Sequence, residues 1–255
     1  MKTRKKLWIF LLSLFCLVMG GCGAQEEETE AEAPGVSWES LSFPQELEIL
    51  YATQFSAASS PEGYTKISIE DGLSYLVVPE GAAVPSGVPA EITVIQQPLD
   101  HIYLAATSAM DLFRALEAID RVTLSGVEAD GWYIPEAKEA MEQGRMEYAG
   151  KYRAPDYELL LSRSCDLAIE STMIYHTPEV KEQLEDFGVP VLVERSSYEN
   201  HPLGRMEWIK LYGLLLGREV GYALGRKWWN NGYMTEALCA VRDYWFNTVD
   251  APWLV

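Results

Sequence analysis

The sequence predicts an α/β protein: a Rossmann-like parallel sheet flanked by helices, preceded by a small N-terminal β-hairpin unit. Three observations carry this. From 102 to 216 short apolar runs alternate with helical stretches. The runs 166–170 and 189–193 are joined by a charged amphipathic segment, 178–187, that Gly188 stops. Such a helical crossover makes the strand pair parallel. Each run is followed by a loop richer in polar and aromatic residues than a plain turn needs, and open parallel sheets bind ligands at the carboxyl ends of their strands.

The chain has 255 residues, 48% of them hydrophobic, enough for one or two domains. Residues 1–22 are different in kind. Lys2, Arg4, Lys5 and Lys6 precede an apolar run, 7–18, too short for a comfortable bilayer span. Met19-Gly20-Gly21-Cys22 follows and resembles a bacterial lipoprotein lipobox, with Met19 where Leu is usual. The resemblance implies lipid on the Cys22 thiol and extracytoplasmic anchoring to the cell membrane. The alternatives are a plain secretory signal or an uncleaved anchor. Residues 23–44 read as an acidic flexible tether, since Glu26, Glu27, Glu28, Glu30 and Glu32 lie among small residues and repel one another. The formal net charge of −18 excludes nucleic acid as a partner, because no basic patch neutralises phosphates. Cys165 and Cys239 show neither CxxC nor metal-ligand spacing, and Cys165 reads as a small buried residue.

Residues 45–203 are assigned to the α/β lobe. Its hairpin unit has strand-like alternation at 46–54, 64–69, 72–79 and 92–96, with turn chemistry at Gly63, Asp71-Gly72, Gly81 and 85–89. The main domain opens after Pro98. A buried strand, 102–106, leads to Ser108 as a helix cap for 109–119. A strand at 122–124 ends at Ser125-Gly126. A helix starts at Pro135 and stops at Gly144, and a short helix, 156–161, precedes the strand at 166. A last helix runs over 205–216. It is placed in a longer interlobe-type helix, 204–227, followed by an atypical Trp-rich tail, 228–255.

The segments 115–126 (ALEAIDRVTLSG), 155–171 (PDYELLLSRSCDLAIES), 184–193 (LEDFGVPVLV) and 202–217 (PLGRMEWIKLYGLLLG) come in an order and spacing that resemble the first lobe of substrate-binding proteins of ABC importers for iron–siderophore complexes, haem and cobalamin. The resemblance covers about 91–217. It implies two α/β lobes joined by one long helix, ligand held in the cleft between them, and an ABC permease as partner. It also implies that Glu158 occupies the position of a glutamate that docks permease arginines; an ordinary exposed helix glutamate is the even alternative. The residues after 217 do not follow the family pattern. The expectation is therefore a missing second lobe, from a frameshift or an early stop, or a natural one-lobed protein. One wall of a cleft implies weak binding, roughly −4 to −6 kcal/mol.

No HExxH, GxSxG, P-loop or GxGxxG is present, and His101, His176 and His201 are the only histidines. The expectation is a protein that is not an enzyme and carries no cofactor. His176 and His201 with Glu199 make a metal site imaginable, but loop or ligand-shell roles outweigh it. Ligand contacts are assigned to the aromatics Trp132, Tyr133, Tyr152, Tyr175 and Tyr198, and to the polar groups of Thr172, His176, Arg195, His201 and Arg205. Arginine suits the anionic oxygens of an iron chelate. For each aromatic taken singly, packing against its own loop is the alternative. The function expected is capture of an iron complex for a permease. Cobalamin or haem, or a non-transporting remnant or surface interaction module, are the alternatives.

Overall fold

The computed structural model describes residues 36–218. Cys22, most of the tether, Cys239 and the tail 228–255 lie outside the described residues.

The main sheet is parallel throughout. Its strands are β6 (Ile102–Leu104), β7 (Val122–Ser125), β8 (Glu147–Tyr148), β11 (Leu167–Ser171) and β12 (Val191–Glu194), in the order β12-β11-β6-β7-β8. Taken in chain order this is 5-4-1-2-3, so the direction of winding reverses between β6 and β11. The pairing of β11 with β12 is parallel, as the crossover at 178–187 predicts, with Ala168 opposite Val191 and Ser171 opposite Glu194. Both faces are covered, which explains the unbroken apolar runs. Ile102, Leu104, Leu167 and Ile169 face α1 (Met110–Ala115), α2 (Pro135–Glu142) and α5 (Pro202–Leu215). Tyr103, Leu124, Ala168, Val191 and Val193 face α3 (Tyr157–Ser162) and α4 (Pro178–Asp186).

The N-terminal unit is larger than a hairpin. It is a five-stranded sheet of β1 (Gln45–Glu46), β2 (Phe55–Ser59), β3 (Thr65–Ile69), β4 (Ser74–Val78) and β5 (Ile92–Gln96), antiparallel except for a parallel β4–β5 pair. One face, with Phe55, Ile67, Ile69, Tyr75 and Ile95, joins the core around Trp208 of α5. Phe55 meets the Trp208 ring edge-on at 5.1 Å. The other face buries Tyr64, Leu76 and Val78 under residues from 36–43. A short ribbon of β9 (Gly150–Lys151) and β10 (Ala154–Pro155) follows β8.

Two buried carboxylates tie this sheet to α5. Glu199 accepts from the Thr53 and Gln54 amides at 2.7 and 3.0 Å and from the Trp208 indole at 2.9 Å. Glu207 accepts from the amides of Leu50, Tyr51 and Ala52 and from Lys210. Segment 50–54, expected as strand, therefore spends its N–H groups on two glutamates instead of a ladder. Burial alone pushes the Glu207 carboxyl up, but those amides and Lys210 outweigh it and hold the group below the usual carboxylate value.

Helix ends follow their caps. Asp156 accepts from the Leu159 amide at the start of α3, and His201 Nδ1 from the Leu203 amide at the start of α5. Ser108, expected as a helix cap, instead donates to the Glu194 carboxylate at 2.6 Å. Of the expected helix 204–227, residues 219–227 lie outside the described residues; in the described part the helix ends at Leu215. Gly217 takes φ +61°, its amide bonds Leu214 O, and the Arg218 amide bonds Gly213 O. This is the Schellman geometry, which satisfies carbonyls of the last turn and turns the chain off the helix axis. Gly188 ends α4 in the same way.

Candidate functional site

The carboxyl ends of β11 and β12 open into two short 3₁₀ segments, Thr172–His176 and Ser196–Tyr198. Ser171 Oγ accepts from the Met173 amide and Glu194 Oε1 from the Ser196 amide, so each strand end is turned by its own last side chain. This aims Thr172, Tyr175, Arg195 and Tyr198 at one place. Thr172 Oγ1 and the Tyr198 hydroxyl lie 3.1 Å apart. The Arg195 guanidinium stacks over the Tyr198 ring at 4.7 Å. Tyr175 and Tyr198 are 43% and 52% exposed, so the cluster presents aromatic surface to solvent.

A residue from the other sheet completes the cluster. Asp71, in the β3–β4 turn, accepts from the Tyr175 hydroxyl and from Arg195 Nη1 at 3.4 Å. Gln54 Oε1 accepts from Arg195 Nε at 3.1 Å. Burial, and then the Asp71 carboxylate, raise the Tyr175 phenol far above its usual value, so it remains a protonated donor. In the sequence Asp71-Gly72 reads only as turn chemistry, and nothing local signals a partner 124 residues away.

The other assigned residues are scattered. Trp132 is a core side chain, 8% exposed, with its indole donating to Ser125 Oγ at 3.1 Å. Tyr133 is wholly exposed. Tyr152 is half-buried in the β9–β10 turn. His176 is exposed beside the cluster. His201 caps α5 and stacks on Tyr51 at 4.7 Å. Arg205 is exposed and reaches Ser197 O at 3.4 Å. Glu158 is exposed in the first turn of α3. Cys165 is buried, and desolvation pushes its thiol up to about 12, which suits packing rather than reactivity. Among the described residues no group of three or more His, Cys, Asp or Glu side chains is arranged to hold a metal, and no helix is long and apolar enough to cross a membrane.

Glu170, on β11, is fully buried and neither carboxyl oxygen has a hydrogen-bond partner. Burial raises it well above the usual carboxylate value, because no partner compensates the lost hydration of the charge. A concavity of about 650 Å³ lies elsewhere, between β1–β2 and the end of α5, lined by Leu47, Leu50, Ser60, Lys210, Leu214 and Arg218. It shares no residue with the cluster.

The model of the acetyltransferase (GNAT) domain family matches residues 133–255, a little under half of the chain. This match overturns the expectation that the chain is not an enzyme, because it indicates an acetyltransferase. That expectation rested on the absence of a few hydrolase and nucleotide-binding motifs, which do not test for acyl transfer. The available signal was glycine density, with Gly217, Gly221, Gly225 and Gly232 in close succession, since glycine lets a backbone approach a ligand closely. No curated protein sequence matches the chain.

Similar solved structures include a periplasmic haem-binding protein from Pseudomonas aeruginosa, at 17% identity and a TM-score of 0.34, covering 47% of this chain and 40% of that one. The periplasmic vitamin B12 binding protein BtuF of Vibrio cholerae is 17% identical with a TM-score of 0.38, covering 59% and 52%. Staphylococcus aureus SirA is 16% identical with a TM-score of 0.35, covering 57% and 50%. The chain thus spans about half of these structures or less.

Proposed function

We propose that the described lobe is a ligand-binding wall of an extracytoplasmic substrate-binding protein that serves an ABC importer, and that its ligand is an iron chelate, with cobalamin or haem as alternatives. The observation in support is the cluster of Thr172, Tyr175, Arg195 and Tyr198 at the carboxyl ends of two adjacent parallel strands. The sequence resemblance over about 91–217 favours the same reading. Lipid attachment at Cys22 and permease docking through Glu158 belong to this proposal. Titration of the full chain with a ferric siderophore, haemin and cobalamin, followed by tryptophan fluorescence, tests it. Saturable binding of one of them is expected between about millimolar and tens of micromolar. Tyr198→Ala should weaken it several-fold. No saturable binding of any, or binding indifferent to Tyr198→Ala, would sink the proposal. For the anchor, Cys22→Ser should move the protein from the detergent phase to the aqueous phase.

A second reading, acetyl transfer, is favoured by the family match over 133–255. A chain acting in this way binds an activated acetyl thioester. Acetyl-coenzyme A should raise the melting temperature of the full chain and release free thiol when an amine acceptor is added. Neither effect at millimolar acetyl-coenzyme A would remove this reading.

A further inference from the structure

Arg195 is one of two arginines assigned to ligand contact from the sequence, yet its guanidinium is already engaged. Nη1 lies 3.4 Å from Asp71 Oδ2, Nε donates to Gln54, and the group stacks on Tyr198. The Tyr175 hydroxyl, the second donor pointing into this space, is given to the same Asp71 oxygen. The Arg195 and Asp71 side chains are 17% and 14% exposed, so the pair is shielded rather than loosely solvated. Asp71 is carried by the tight β3–β4 turn, where Gly72 takes φ +93°. It therefore reaches the cluster from the second sheet. It stands where an anionic ligand group would have to sit to use both donors. An incoming anion must displace Asp71 or face its charge at close range in a partly desolvated site. A neutral or cationic group meets no such competitor.

We propose that Asp71 is a specificity-determining residue: a built-in carboxylate that fills the anion position of the Arg195–Tyr175 donor pair, so that the site takes neutral or cationic ligands in preference to anionic ones. This rests on the reading of the cluster as a ligand site and reverses the ligand charge expected from Arg195 alone.

A plain anion tests it without a chelate. Citrate is titrated calorimetrically into the full-length wild type, Asp71→Asn and the double variant Asp71→Asn/Arg195→Gln. Wild type should bind citrate at least about tenfold more weakly than Asp71→Asn, and the double variant should lose that gain. Asp71→Ser replaces Asp71→Asn if the latter does not fold. Wild type binding citrate as tightly as the single variant would overturn the proposal. So would a single variant that gains nothing, or a gain that survives loss of Arg195. Failure of the ligand-binding reading appears separately, as the absence of any bound ferric siderophore, haemin or cobalamin in wild type.

Discussion

Replacing Glu199 with alanine should be among the most damaging single changes in the lobe. The carboxylate is 3% exposed and takes four donors: the Thr53 amide, the Thr53 hydroxyl, the Gln54 amide and the Trp208 indole. Hydrogen bonds to a charged acceptor contribute about 1.5–3 kcal/mol each, but Thr53 is exposed and its donors can turn to water. Trp208 is fully buried, and its N–H would be orphaned at a cost of about 1–3 kcal/mol. Relief of the buried charge offsets part of this. The net expectation is a loss of about 3 kcal/mol. With a urea dependence of about 2 kcal/mol/M, the unfolding midpoint should fall by about 1.5 M. Equilibrium urea unfolding of the full chain, followed by tryptophan fluorescence, reads this directly. Glu199→Gln should fall between the two, because an amide oxygen accepts while its NH₂ group opposes the remaining donors. A midpoint shift below about 0.5 M for Glu199→Ala would show that the 50–54 segment is not held by this carboxylate.

Other changes have defined outcomes. Glu170 has a raised folded pKa, so the stability it contributes is full below its unfolded value, about 4.3, and is lost as pH rises through the folded one. Glu170→Gln should accordingly stabilise the protein at pH 8 relative to wild type and be near neutral at pH 4, as read by urea melts at both. Glu207 runs the other way. Its folded pKa is lowered, so its contribution is present above about 4.3 and disappears as pH falls through the folded value; Glu207→Gln should flatten that acid limb in the same melts. Gly126→Ala would place a Cβ 2.8 Å from Ala105 Cα, where backbone must give way, and should cost about 1–3 kcal/mol. Cys165 should contribute nothing to native thiol titration at pH 8, so that wild type and Cys165→Ala differ only after denaturation.

The elements most legible in the sequence are those whose signals are local. The crossover 178–187, the stop at Gly188 and the flanking apolar runs lie within thirty residues, and the parallel β11–β12 pair follows from them. Segment 46–54 has equally clear alternation but fails as a strand, because Glu199 and Glu207 claim its amides from about 150 residues away. β2 is illegible for the opposite reason: Phe55–Ser59 is mostly small residues, and its place comes from Phe55 meeting Trp208. The helical pattern of 205–216 reads on through Gly217 in the sequence, where the Schellman turn ends the helix. At the site, the strand-end rule brought Thr172, Tyr175, Arg195 and Tyr198 together. It could not tell Trp132, which packs inward, from Tyr133 beside it, nor supply Asp71 from another sheet.

Tyr75 has a consequence beyond its place in the core. β12 is an outer strand of the parallel sheet, and such strands carry unpaired N–H and C=O groups that can recruit a strand from another molecule. The Tyr75 hydroxyl accepts from the Val193 amide at 3.3 Å, and the N-terminal sheet stands against that margin. The second sheet thus covers part of the margin of β12. It occupies one hydrogen-bonding position, on an edge strand of four residues, that would otherwise be open to a like strand.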